Sequence, residues 1–251
     1  MTLLDLATVF SGEDLRAACS SLGIRRPLGV AGEARSSKAT ASRQPAAVTI
    51  PESAARALAV LAAPEAIAVV DHVAHGRKRT TYVAIRGADA ATHCIRGGHH
   101  LVESFDAECA RREMLGAAGL DEQTDVRARR VLDVTVSAFD RMVELVAVND
   151  IARAAAALET DGVDRSTAVA VAEASRRGCV HVLGLRNVGH RYVGCELSWV
   201  VGRERWLVPV PARAAETGAA VSARTAAKFV RAEIATVSSA WLAAELAVVF
   251  D

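Results

Sequence analysis

The densest collection of chemistry-bearing side chains in this 251-residue sequence is a run that holds His72, His75, His93, Cys94, His99 and His100. Imidazoles and a thiolate are ligands for zinc and other transition metals. Successive side chains of a strand leave opposite faces, however, so His99 and His100 diverge, as do His93 and Cys94. No more than about half of the set can converge on one ion. Solvated or hydrogen-bonded histidines are therefore the expectation, with no metal and no other cofactor. Other reaction chemistry has less to work with, because the chain contains no G-x-S-x-G elbow, no G-x-x-x-x-G-K-[ST] loop, no G-x-G-x-x-G turn and no H-E-x-x-H helix. We expect no catalytic residues and no enzyme.

Cationic and aromatic groups offer binding instead. The stretch "HGRKR" places His75, Arg77, Lys78 and Arg79 at a turn between two apolar runs, where they suit an acidic or polar partner surface. A second basic run, "VRARR", ends at Arg130 beside a helical segment. Trp199 and Trp206 lie on opposite arms of "HRYVGCELSWVVGRERWLVPVP", a hairpin pattern that breaks at Gly202. Either could anchor an interface, and at least one is expected in the core. Net charge is only +1, so no long-range field gathers phosphates and nucleic acid is not an expected partner. Apolar residues at 51% and charged residues at 24% give an ordinary core-forming mix. No apolar run reaches the roughly 20 residues of a membrane span, so no membrane insertion is expected. Asp5, Glu13 and Asp14 come too early for a secretory signal, and five cysteines without a C-x-x-C pair suit a reducing compartment; a cytoplasmic protein is expected. The 30 basic residues include only three lysines, Lys38, Lys78 and Lys228, in an alanine-rich chain, which fits a GC-rich genome.

The elements that must position these groups come in two similar series. Ser11 caps a short helix stopped by Gly23, and Pro51 opens a helix that ends before Pro64. "AIAVVDHVAH", "RTTYVAIRG" and "ATHCIRGGHHLVES" then form an antiparallel meander, after which Ser104 or Asp106 caps a helix reaching Ala118. Leu132, Val136, Phe139, Val143 and Val146 make a helical stripe, with a strand start near Val134 as the alternative. Asp164 caps the next helix and Gly178 stops it ahead of the tryptophan hairpin. A final long helix is expected to carry Val230, Ile234, Val237, Trp241, Ala244 and Val248 on one face. The two helix starts at 51 and 164 are 113 residues apart (164 − 51), and the pairs Leu101-Val102 and Leu207-Val208 are 106 apart (207 − 101). This spacing indicates a duplication inside one domain spanning 1–251, with halves of approximately 1–120 and 121–251. Two half-sheets with exposed edges satisfy their backbone groups by joining. The fold class is therefore α+β, a central largely antiparallel sheet with pseudo-two-fold duplicated halves.

Four stretches carry a family resemblance: "GEDLRAACSSLGIRRPLGV", "PESAARALAVLAAPEAIAVVDHVAHG", "LETDGVDRSTAVAVAEASRRG" and "SWVVGRERWLVPVP". Together they resemble the EspG family, cytosolic chaperones of actinobacterial type VII (ESX) secretion, over nearly the whole chain. The resemblance implies a central sheet flanked by two helical groups and an activity that is binding: gripping the tip of a PE–PPE heterodimer and keeping it soluble for export. It also implies a surface made by strand-connecting loops and the C-terminal helical group. On this chain those are the turn with His75, Arg77, Lys78 and Arg79 and a helix with Arg224, Lys228, Phe229 and Arg231. A small-molecule-binding regulatory or sensor domain is the alternative, and a homodimer is left open.

Overall fold

A computed structural model describes residues 8–25, 50–74, 77–120, 129–189, 191–202, 204–208 and 231–250. The first half contributes β1 (Thr8–Ser11), α1 (Gly12–Ser21), α2 (Glu52–Ala62), β2 (Ala66–Ala74), β3 (Arg77–Arg86), β4 (Asp89–Arg96), β5 (His99–Asp106) and α3 (Ala110–Ala117). The second half contributes β6 (Val131–Thr135), α4 (Val136–Ala147), α5 (Ile151–Glu159), α6 (Arg165–Arg177), β7 (Gly178–Val188), β8 (Arg191–Val201), β9 (Arg205–Val208), β10 (Arg231–Val237) and α7 (Ser239–Ala247). Side-chain caps fix many of the helix starts. Ser11, Thr135, Asp150, Asp164 and Ser238 each accept a bond from a backbone N–H in the first turn of α1, α4, α5, α6 and α7. Hydrogen bonds from Ser166 and Thr167 hold the Asp164 carboxyl down at about 2.

The ten described strands form one sheet in the order β1-β5-β4-β3-β2-β7-β8-β9-β10-β6, and each neighbouring pair is antiparallel. Read outward from the β2–β7 junction, the halves match: a four-stranded meander, then the short first strand of that half on the outer edge. The junction runs from Ala66 opposite Arg186 to Ala74 opposite Gly178, with Val70 facing Val182 at its middle. The duplication expected from sequence is thus a quasi-two-fold relation across this ladder. All the central backbone groups find partners there, which each half alone would leave open.

Alternation along the strands divides the apolar side chains between two faces. On one face α1 and α2 pack Leu15, Cys19, Leu58 and Leu61 against Ile67, Tyr82, Ala91 and Val102. On the same face of the other half, α4, α5 and α6 pack Phe139, Met142, Leu158 and Val171 against Val200, Trp206 and Ile234. On the opposite face α3 and α7, one helix from each half, cover the junction together, with Met114, Leu242 and Leu246 against Val70, Val83, Val182 and Trp199. Gly184 allows this close cover, since a Cβ there would meet Val249 Cγ2 at 2.1 Å. Trp199 and Trp206 are both buried, on opposite faces, so neither is an exposed anchor.

Several sequence expectations are corrected. Residues Arg231–Val237 are a strand, and the last helix begins only at Ser239. Ile234 and Val237 fit a 3.6-residue period and a strand alike, and pairing with β6 and β9 decides between them. Leu132 lies in β6 and not on a helix, while the buried stripe of α4 is Ala138, Phe139, Met142 and Leu145, leaving Val143 exposed. The Leu-Val pairs equated above sit on β5 and β9, the fourth and third strands of their meanders, so they are not equivalent. Neither Ser104 nor Asp106 caps α3. Both residues lie in β5, and a single 3-10 turn, Ala107–Cys109, leads into the helix.

Truncating Trp206, which is 1% exposed, should leave a cavity between the sheet and α4–α6. Trp206→Ala is expected to lower the urea-unfolding free energy by about 3–5 kcal/mol. A loss under about 1 kcal/mol would mean that this layer is not packed as described.

Candidate partner-binding surface

The β2–β3 turn joins Ala74 to Arg77. The register sets His72 opposite Arg79, Val73 opposite Lys78 and Ala74 opposite Arg77, while Thr80 pairs across β4 with Ile95. The β4–β5 turn therefore lies beside it. That turn is Gly97-Gly98, both with positive φ (57° and 79°), the backbone that a two-residue hairpin loop needs and that glycine adopts at little cost. By strand alternation His72, Arg77, Arg79 and Arg96 share the face that carries α3. They line a depression of about 600 Å³ with Ala74, Lys78 and Gly97.

The cations there are not alike. Lys78 Nζ is 2.9 Å from Asp71 Oδ2, and the Thr80 hydroxyl donates to Asp71 Oδ1 at 2.6 Å. Arg79 donates to the Ala117 carbonyl at 3.1 Å, at the C-terminal end of α3, where a positive charge suits the helix dipole. The buried Arg205 reaches the same region, donating to the Gly119 carbonyl at 2.7 Å and to Ser239 Oγ at 2.5 Å, and so ties the end of α3 to the start of α7. Burial and then the charge of Arg79 lower the pKa of His72, which keeps that ring neutral at neutral pH. Arg77 and Arg96 take no partner among the described residues.

Sequence reading picked out Arg77, Lys78 and Arg79, which the fold does bring together, but it missed Arg96. The only sequence signal was its position before a Gly-Gly turn; closeness to Arg77 depends on which strands pair. His75, Arg224, Lys228 and Phe229 fall outside the described residues. Arg231 is at the start of β10 and not in a helix. Its guanidinium bonds the side chain and carbonyl of Asp133 at 2.6 Å on the outer part of the second half, several strands from the β2–β3 turn. Of the second basic run, Arg130 lies over the Trp206 ring at 5.0 Å and pairs with Glu204, a role within the fold.

The histidines separate by face, as alternation requires. His93 and His100 meet in the core beneath α1 and α2, with His93 Nε2 2.8 Å from His100 Nδ1 and Tyr82 stacked on the other side of His93. Among the described residues no group of three or more His, Cys, Asp or Glu side chains converges as a metal site would. One constellation, Ser198, His181 and Glu196, imitates a catalytic triad. Ser198 lies opposite His181 in the β7–β8 ladder, and His181 Nε2 is 2.9 Å from Glu196 Oε1. Ser198 Oγ, however, is buried and makes no hydrogen bond to the imidazole, so nothing activates it. Burial also pushes the Cys179 thiol up to about 11, away from the reactive thiolate.

No protein-family model matches the sequence, and comparison with curated proteins finds no match. Among solved structures, the chain is similar to the Mycobacterium tuberculosis type VII secretion system chaperone EspG5 in its complex with a PE25-PPE41 dimer. The TM-score is 0.59 at 13% sequence identity, over 98% of this chain and 96% of that one.

Burial first, and then the charge of His100, lowers the His93 pKa to about 4. An unfolded histidine takes its proton near 6.5, so between these values the unfolded chain holds more protons and stability falls as pH falls. Unfolding free energy should drop by about 3 kcal/mol between roughly pH 7 and 4. His93→Gln should flatten the part of the slope above about pH 5 in urea titrations; an unchanged slope would place the titration elsewhere. Since this chain and EspG5 correspond over nearly their whole lengths, the architecture that carries the cationic turns is the EspG fold.

Proposed function

We propose that the protein is a cytoplasmic chaperone that binds a PE–PPE-type helical heterodimer of a type VII secretion system and keeps it soluble for export. One observation carries this reading: the end-to-end likeness in fold to a chaperone solved with such a dimer. The chain would act as a single domain, and its output would be adhesion without chemistry. A helical substrate with an apolar tip aggregates unless that tip is covered, and a broad polar-rimmed surface suits the task. The β2–β3 turn, with His75, Arg77, Lys78 and Arg79, is the proposed contact in the first half. Arg224, Lys228, Phe229 and Arg231 are the proposed contacts toward the C-terminus. Affinity would lie between about micromolar and nanomolar, roughly −8 to −12 kcal/mol, because the cargo must be released.

The sensor alternative gains little support, since small-molecule sites are enclosed and mostly apolar. The depression at the turns is lined by four cations, Ala74, Gly97 and the single His72 ring, and offers no aliphatic wall.

Co-expression with a PE–PPE pair encoded in the same genome tests the proposal. The pair is expected to co-purify one-to-one with the protein and to precipitate when expressed without it. Equal solubility of the pair alone, or no co-purification with any such pair, would defeat the reading.

A further inference from the structure

At the β2–β3 end two exposed arginines without a partner among the described residues, Arg77 and Arg96, line one depression. Some exposed arginines elsewhere find carboxylates within the fold, as in Arg56 with Asp89, Arg130 with Glu204 and Arg231 with Asp133. At the β2–β3 end Lys78 and Arg79 are likewise satisfied internally, by Asp71 and by the Ala117 carbonyl. Arg77 and Arg96 are not, although they come from different hairpins and open on the same depression. No carboxylate is among its lining residues. Continued one pair past Thr80 and Ile95, the β3–β4 register sets Arg79 opposite Arg96 with Arg77 two residues further along the same face, so positive charge gathers on one depression and favours an anion there. Overall charge is only +1, so the excess is local and not a feature of the whole molecule.

We propose that this depression receives an acidic segment of a protein partner, with Arg77 and Arg96 each taking a carboxylate. The inference rests on the chaperone reading for the partner's identity but not for its chemistry. A planar guanidinium matches a carboxylate through paired N–H donors, which fixes orientation as well as charge. At about 600 Å³ the space fits a few side chains and is large for a lone phosphate. Nucleic acid is disfavoured because phosphate tracking needs an extended basic surface, and this depression gathers four cations, Lys78 and Arg79 already held by the fold, in a chain of net charge +1. The glycine turn leaves room for approach, since no atom lies within 4 Å of a Cβ placed at Gly97 or Gly98.

Fluorescence anisotropy with a labelled octaglutamate peptide tests the depression directly, at about 0.05 and 0.3 M salt. The full chain should bind the peptide, and binding should weaken about tenfold at the higher salt. Arg77→Gln and Arg96→Gln should each weaken it about five- to tenfold while circular dichroism and melting temperature stay unchanged. Arg56→Gln, remote and paired with Asp89, should have no effect. No binding, equal binding by the double variant, or tighter binding of an oligothymidylate or of inorganic pyrophosphate would overturn the proposal. The PE–PPE co-purification separates the two ideas. Capture of the pair with no octaglutamate binding rejects the depression and keeps the chaperone reading. Octaglutamate binding without capture of any such pair supports the depression and rejects that reading.

Discussion

The antiparallel ladder between β2 and β7 is the interaction on which the rest of the structure depends. Each half presents a meander whose inner strand would otherwise expose a row of unpaired N–H and C=O groups, an open invitation to aggregation. Pairing Ala66–Ala74 with the complementary stretch of β7 removes both edges at once and aligns the halves around Val70 and Val182. The junction then fixes which side chains share a face. A shift of one residue would move His181, Cys179 and their neighbours to the side covered by α3 and α7.

Once the halves are joined, helices claim much of both faces. The α1–α2 and α4–α6 groups take one side, and α3 with α7 closes the other over the junction. Among the described residues, the β2–β3 and β4–β5 strand ends carry charge in a depression that no helix fills. Polar groups are used economically there. Asp71 neutralises Lys78, and the end of α3 occupies Arg79 and Arg205. A basic turn that looks uniform in sequence thus becomes a mixture of structural and available cations.

The absence of activated nucleophiles among the described groups has the same origin. Residues that could do chemistry are buried in pairs or aimed at opposite faces. His93 and His100 stack in the core, Ser198 is sealed without a bond to His181, and burial disfavours the Cys179 thiolate. Each is held by packing in a way that serves stability more than reactivity.

Much of the local architecture was legible in the residues. Ser11 and Asp164 announce helix starts by their capping chemistry, Gly97-Gly98 announces a tight hairpin, and the 113-residue spacing (164 − 51) of helix starts announces the duplication. These signals are local or periodic, so backbone geometry and hydrogen-bond satisfaction decide them within a few residues. Tertiary structure alone decided that Ile234 and Val237 lie in a strand, that both tryptophans are buried on opposite faces, and that Arg96 shares a depression with Arg77 while Arg231 lies several strands away. Those outcomes depend on strand pairing between distant segments. A short apolar run fits either period equally well until a neighbour supplies the other half of its hydrogen bonds.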